Sequence, residues 1–318
     1  MRVRLYAPDD APRWDAWCTE AYGATFLHSR RFLSYHGDRF DDRSLIVEDP
    51  QGAWLGLLPA ARHPNDSSVV VSHPGITYGG FLHHGALRGE AMLRAFELAC
   101  AHYVASGART LKYKPVPHIY QRAPAQDDLY ALFRLGAQRV RCDLSSCIAL
   151  DHPLPMNERR RRALKKAQRA GLVIDTGVHN AAEFWPVLAD TLWRRHGLRP
   201  VHSLDEMLLL AERFPEQIRV CVARREKAVL AGIVLFICGA LVHTQYVAAS
   251  EEGQALSALD LLIHTEISHA RDNHARFFDF GNSNEEQGRV LNQGLHRFKS
   301  EFGAGGVVHE FYDIELAR

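Results

Sequence analysis

Hydrophobic positions in this chain fall into short apolar runs with turn residues between them, separated by longer stretches in which apolar residues recur at helical spacing. The longest apolar run covers residues 228–242 (AVLAGIVLFICGALV), holds Gly232 and Gly239, and is too short to cross a bilayer. Its β-branched first half and late glycine predict two consecutive core strands joined by a turn near residues 238–240. Residues 44–60 (SLIVEDPQGAWLGLLPA) predict a similar hairpin, with Asp49, Pro50, Gln51 and Gly52 as its turn. Alternation from Val242 to Tyr246 sends His243, Gln245 and Val247 to one strand face and Thr244 and Tyr246 to the other. In the run ARFFDFGNS, Phe278 and Phe280 alternate with Asp279 and Gly281, which sets a carboxylate opposite two packed rings. Each half of the chain reads as helix, β-meander, then alternating helix and strand. That order predicts a mixed α/β sheet, not a doubly wound parallel one.

The two halves repeat at a fixed offset. Gly136 and Ala137 recur as Gly303 and Ala304, 303 − 136 = 167 positions later. The same offset, with no gap, matches Thr77 to Thr244, Ala91 to Ala258, Ala108 to Ala275, Arg109 to Arg276, Arg122 to Arg289 and Val140 to Val307. Composition alone would supply about four such identities, so the shared order of elements carries the repeat. In that order the segment SHPGITYGGF is the first-half counterpart of the strand ALVHTQYVAA. The expected architecture is two tandem mixed-sheet modules, residues 1–150 and 151–318. Asp279 falls opposite Lys112 (279 − 167 = 112), so equivalent spots carry opposite charge, one serving an acceptor and the other a donor.

Composition narrows the class. With 47% hydrophobic and 24% charged residues the chain is globular, and 38 basic against 37 acidic residues rule out a general polyanion-binding surface. Anion contacts must then come from local clusters. The densest, NERRRRALKKAQRAG at 157–171, predicts a helix capped by Asn157 and ended by Gly171. Arg161, Lys165 and Arg169 share one face of it, with Arg162 and Lys166 beside them, which suits a phosphate on a nucleotide-linked sugar, a lipid diphosphate, coenzyme A or a tRNA end. A solvated basic face is the other explanation. The six cysteines are scattered and no metal-ligand spacing occurs, so free thiols, a cytoplasmic location and no metal are expected. No segment reads as transmembrane, and peripheral membrane contact stays open.

The strands HTQYVAAS and FDFGNS and the helix LNQGLHRFKSEFGA, with SHPGITYGG, YKPVPHIY, RRALKKAQRAGLVI and RRHGLRPVHS, resemble the GNAT superfamily. More narrowly they resemble its tandem-domain members related to the Fem peptidyltransferases and to envelope-polysaccharide acetyltransferases. The resemblance runs from about Phe26 to Leu316 and implies acyl or aminoacyl transfer to an amine on a cell-envelope precursor or a related small acceptor. Lipid-linked or nucleotide-linked acceptors are among the partners it implies, and tRNA is a possible one. In that architecture the reacting carbonyl sits where two adjacent strands splay apart, which makes Tyr246 the candidate acid for the leaving group and Asp279 the candidate acceptor carboxylate. Lys299 resembles the family lysine near a substrate phosphate or carboxylate, in a helix that follows Asn292. His73, Tyr78, Lys112, Lys114, Tyr120, His196, His202, Gln245 and Asn292 are the substrate-binding candidates, with His196 and His202 also candidate general bases.

One departure bears on the donor. GNAT enzymes hold the coenzyme A pyrophosphate on a turn of the form [QR]xxGx[GA], whereas this chain reads ASEEGQALSALDLL, with one Gly253 and two acids, Glu251 and Glu252. Fem-like relatives also lack the turn and use aminoacyl-tRNA, so acyl-CoA and aminoacyl-tRNA both remain as donors. The altered turn favours a second reading, a catalytically decayed binding protein for a sugar-phosphate or RNA. Retention of Tyr246, Asp279, Asn292 and Lys299 favours the enzyme.

Overall fold

The computed structural model describes residues 1–316, apart from the side chain of His196. The described residues divide into two compact units. The first holds residues 1–143, 284–290 and those from Val308 on, and the second holds 144–283 and 291–307.

In chain order the first unit contains β1 (Arg2–Leu5), α1 (Ala11–Glu20), α2 (Arg30–Leu33), β2 (Leu45–Glu48), β3 (Trp54–Leu58), β4 (Ala61–His63), β5 (Asp66–Val71), α3 (Glu90–Ala105), β6 (Thr110–Tyr113) and α4 (Asp127–Arg134). The long strand β7 (Gln138–Ala149) then enters the second unit. That unit continues with α5 (Glu158–Gln168), β8 (Val173–Thr176), α6 (Ala181–His196), α7 (Leu204–Arg213), β9 (Ile218–Arg225), β10 (Ala228–Cys238), β11 (Leu241–Ala249), α8 (Glu251–Ala255), α9 (Ala258–Asp272) and β12 (Phe277–Asn282). Two dipeptide strands, β13 (Asn284–Glu285) and β14 (Val290–Leu291), precede α10 (Gln293–Ser300) and the last strand, β15 (Gly305–Glu315).

Both expected hairpins form. Strands β2 and β3 pair antiparallel across the Asp49–Gly52 turn, and β10 and β11 reverse at Gly239, whose φ of 64° suits glycine. Strand β10 is buried almost throughout because α6 and α9 both pack on it, which explains an apolar run without alternation. Gly232 is part of that packing, since a Cβ there would meet the Phe184 ring at 2.2 Å. In the first unit α3 lays Met92, Phe96, Ala99 and Tyr103 along one stripe over Leu45, Val70, Leu111 and Tyr113.

The two units share a strand pattern. In the first, β4 and β5 pair antiparallel, β5 and β6 parallel, and β6 with β15 antiparallel. In the second, β10 and β11 pair antiparallel, β11 and β12 parallel, and β12 with β7 antiparallel. Arg109 and Arg276 each stand immediately before the central parallel strand, and Gly136 and Gly303 each precede a long closing strand with positive φ. The ungapped offset fails in one place. The parallel registers put Val71 beside Lys112 and His243 beside Asp279, so the first strand of the pair is displaced by 243 − 71 = 172 while the second keeps 279 − 112 = 167. Thr77 therefore lies in a loop and is not the counterpart of Thr244 in β11, and the segment from Ser72 to Phe81 is not a strand.

Candidate active site

The second unit contains a place where two parallel strands part. Strand β11 carries a bulge at Gln245, because Val234 and Leu235 face Tyr246 and Thr244 with Gln245 extra between them. Such a bulge bends the strand and increases its twist. At the same level β12 turns at Gly281, with φ 73°, and its register against β7 shifts between Asp279 and Asn282. Strands β11 and β12 thus pair only at Leu241–Phe277, Val242–Phe278 and His243–Asp279.

The last paired residues carry the chemistry. Asp279 is fully buried, a costly position for a carboxylate unless donors surround it. Its Oδ2 lies 2.7 Å from Nδ1 of His243, while Oδ1 accepts from the Ser145 hydroxyl and, at 3.2 Å, from the Gly281 amide. With Nδ1 tied to the carboxylate, Nε2 is the nitrogen of His243 that takes a proton. Lys299, on α10, is buried and donates to the carbonyls of Gly281 at 2.9 Å and Asn282 at 2.6 Å, fixing the diverging end of β12. Burial pushes its pKa down to about 8, against the attraction of Asp279. Asn292 is the N-cap of α10, its Oδ1 accepting from the Leu295 amide at 3.0 Å, and so sets the helix that presents Lys299.

Tyr246 follows the bulge on β11. Its hydroxyl accepts from the His202 amide at 3.1 Å and lies 2.7 Å from His202 Nδ1, and Trp185 packs edge-on against its ring. Burial raises the phenol pKa. The structure joins His202 to Tyr246, and the bulge at Gln245 resets the alternation, so that Tyr246, opposite Val234, shares the face of His243 and Asp279 and not, as strict alternation predicts, that of Thr244. Gln245, at the bulge, is half-buried. His196 ends α6, and its side chain lies outside the described residues. His243 and Ser145 were missed as site residues. Alternation had put His243 on its correct face, but only the parallel register with β12 brings it to Asp279.

The corresponding place in the first unit is filled by its own chain. Beyond Val71–Lys112, the Ser72 amide donates to the Lys112 carbonyl, the Lys114 amide to Ser72 Oγ, and the Gly79 amide to the Lys114 carbonyl. Gly79 is required there, since a Cβ would come within 1.8 Å of the Ser72 carbonyl oxygen. The SHPGITYGG glycines thus serve close backbone packing. Lys112 is ion-paired with Asp313 at 2.7 Å. Lys114 is buried, donates to the Ile76 carbonyl, and has its pKa pushed down to about 7 by desolvation. Tyr78 and Tyr120 are buried with ring centroids 4.4 Å apart, and His73 is buried against His36 and Phe40.

Helix α5 begins as expected, with Asn157 Oδ1 accepting from the Arg159 amide. Its basic residues split by face. Arg159 and Arg160 reach Glu301, and Arg160 also reaches Asp260 at 2.7 Å. Arg161 is held by Glu158 and the Met156 carbonyl. Arg162, Lys165, Lys166 and Arg169 are exposed at i, i+3, i+4 and i+7, so the open basic stripe runs through Arg162 and Lys166 and leaves Arg161 out.

The turn after β11 makes its contacts within the chain. Ser250 caps α8 through the Gly253 amide, Glu251 pairs with Arg194 and Glu252 with Arg225. A Cβ on Gly253 would meet the Leu230 carbonyl at 2.0 Å, so this glycine allows helix–strand contact. No group of residues suited to a metal ion occurs among the described residues, and no helix there is long and apolar enough to cross a membrane.

Residues 157–299 match the family model described as acetyltransferase (GNAT) domain, a span that contains His243, Tyr246, Asp279 and Lys299. The fold is similar to that of FemX, at 14% identity and TM-score 0.72, covering 99% of this chain and 98% of that one. It is also similar to the C-terminal domain of a putative lysylphosphatidylglycerol synthetase from Agrobacterium fabrum, at 13% identity and TM-score 0.59, covering 86% and 84%. A tandem GNAT protein from the clavulanic acid biosynthesis pathway shares the fold at 13% identity and TM-score 0.56, covering 100% and 99%. No curated protein matches the sequence. At these identities the structural likenesses establish the fold alone.

Proposed function

We propose, from the premise that this chain is a Fem-like member of the GNAT superfamily, that it is an N-acyltransferase that moves an aminoacyl group to an amine of a cell-envelope precursor. The observation that carries this reading is the Asp279–His243 pair at the level where β11 and β12 part. An amine acceptor must lose a proton before it attacks, and an imidazole held by a buried carboxylate is suited to take it. Asp279 then orients His243 and stabilises the imidazolium that forms. Lys299 supplies the adjacent positive charge and holds the diverging backbone of β12. With the bulge turning Tyr246 to the face of His243, its hydroxyl, tied to His202, is suited to return a proton to the leaving group.

The donor half rests on the turn after β11. Its carboxylates and packed Gly253 argue against a coenzyme A pyrophosphate and favour an aminoacyl ester, for which the exposed stripe of α5 offers phosphate contacts. The names of FemX and of the lysylphosphatidylglycerol synthetase are consistent with envelope acceptors, nucleotide-linked or lipid-linked.

The test supplies the intact chain with labelled aminoacyl-tRNA or with acyl-CoA, against amine acceptors that include nucleotide-linked amino sugars and aminated lipids. Transfer from aminoacyl-tRNA supports the reading, and transfer from acyl-CoA alone overturns its donor half. If neither donor supports turnover while a sugar-phosphate or RNA raises the melting temperature, the protein is a binding module.

A further inference from the structure

We infer that the loop between α6 and α7 docks this protein on an anionic lipid surface. The inference is independent of the transfer reading. Three large apolar side chains stand in solvent within nine residues, 193–201. Trp193 is 63% exposed, Leu198 61% and Val201 83%. Single exposed apolar residues are ordinary, whereas a cluster spanning the last turn of α6, which holds Trp193, and the loop after it marks an interaction surface. The same segment carries Arg194, Arg195 and Arg199 and, from Thr191 to Ser203, no acid. Arg194 is neutralised by Asp190 and Glu251. Arg195 and Arg199 are exposed and make no ion pair with the described residues.

An exposed tryptophan and aliphatic residues interleaved with arginine are what an interfacial segment needs. The ring and aliphatic groups enter the headgroup boundary, while the guanidinium groups stay at phosphate level. Single-stranded RNA fits less well, because Leu198 and Val201 offer no stacking face for bases. Beside the loop lies a cavity of about 760 Å³, lined by Trp185, Trp193, Val201 and Leu204 together with the charged Asp190, Arg199 and Glu206. Trp185 and His202 are also the residues that hold Tyr246. A bilayer seated on the loop would therefore lie over a cavity with an aromatic and aliphatic wall that leads toward a candidate site residue. That suits an acceptor or product with a lipid tail.

The experiment is co-sedimentation of the full chain with vesicles of phosphatidylcholine, and with vesicles in which part of it is replaced by phosphatidylglycerol. Binding is expected on the anionic vesicles, weakening with salt. The double variant Trp193→Ser/Val201→Ser should reduce the partition coefficient by about tenfold or more, with an unchanged melting temperature. Arg195→Gln and Arg199→Gln should each lower it about fivefold, on anionic vesicles only. Three results overturn the inference: no binding to either vesicle, binding unchanged in the double variant, which would move the contact to another surface such as α5, or self-association of the wild type that the double variant abolishes.

Discussion

The two units carry the same run of antiparallel, parallel and antiparallel strand pairs, yet they treat the end of the parallel pair in opposite ways. In the first unit the chain folds back on itself there. Ser72 and Gly79 take up the backbone groups of Lys112 and Lys114, and the half-buried Lys112 is paired with Asp313. In the second unit the strands diverge through a bulge and a positive-φ glycine, and a buried Asp279–His243 pair stands at the fork. Shared topology therefore does not distribute the chemistry evenly. One copy of the fork is packed by glycine-dependent backbone contacts, and the other keeps ionisable groups at the point of divergence. Under the proposed function, transfer belongs to the second unit and the first serves as its scaffold.

The largest effect that could break this comparison is catalytic. Asp279→Asn should slow transfer by roughly 10²–10⁴-fold with the fold intact, while Lys112→Met, at the equivalent position of the first unit, should cost less than about tenfold. Equal losses would erase the distinction. Next comes a contrast within α5. Arg160→Gln takes the ion-pair partner from buried Asp260, while Glu301 keeps Arg159 and Arg297, and should cost about 3 kcal/mol in urea unfolding. Gln at Arg162, Lys165, Lys166 and Arg169 should each shift stability by no more than about 0.5 kcal/mol, but flatten the salt dependence of anion binding. Gly79→Ala sharpens the first-unit side, since its Cβ cannot fit against Ser72. A loss of about 1–3 kcal/mol is expected by calorimetry.

The smallest effect is a pH dependence. Lys114 has a folded pKa of about 7, below the ordinary lysine value, so the unfolded chain binds the extra proton between those limits. Its contribution to stability is therefore worst below pH 7 and improves as pH rises toward 10.5. The melting-temperature advantage of Lys114→Met over wild type should accordingly be largest near pH 6 and shrink as pH rises.

Much of this arrangement was legible in the residues. The β10–β11 and β2–β3 hairpins followed from Gly239 and the Asp49–Gly52 turn, the α5 cap from Asn157, and the facing of Asp279 away from the two rings from its alternation with Phe278 and Phe280. Local pattern fixes such features because one turn residue or one strand face determines them. What depended on pairing between distant strands was hidden. Neither the approach of His243 to Asp279 nor the role of Ser145 has a signal at one position. The ungapped repeat misled for the same reason, since the 72–80 loop absorbs the five-residue difference between the offsets of 172 and 167. The choice of face on α5 went astray at Arg161, whose guanidinium folds back on Met156 and Glu158.

The claim at the centre of this account is that His243, oriented by Asp279, takes the acceptor proton. It is tested most directly by transfer assays on His243→Ala with and without added imidazole. The account expects a folded protein that loses transfer by roughly 10²–10⁴-fold and regains part of the rate as imidazole is titrated in. A His243→Ala protein that transfers at the wild-type rate would contradict it.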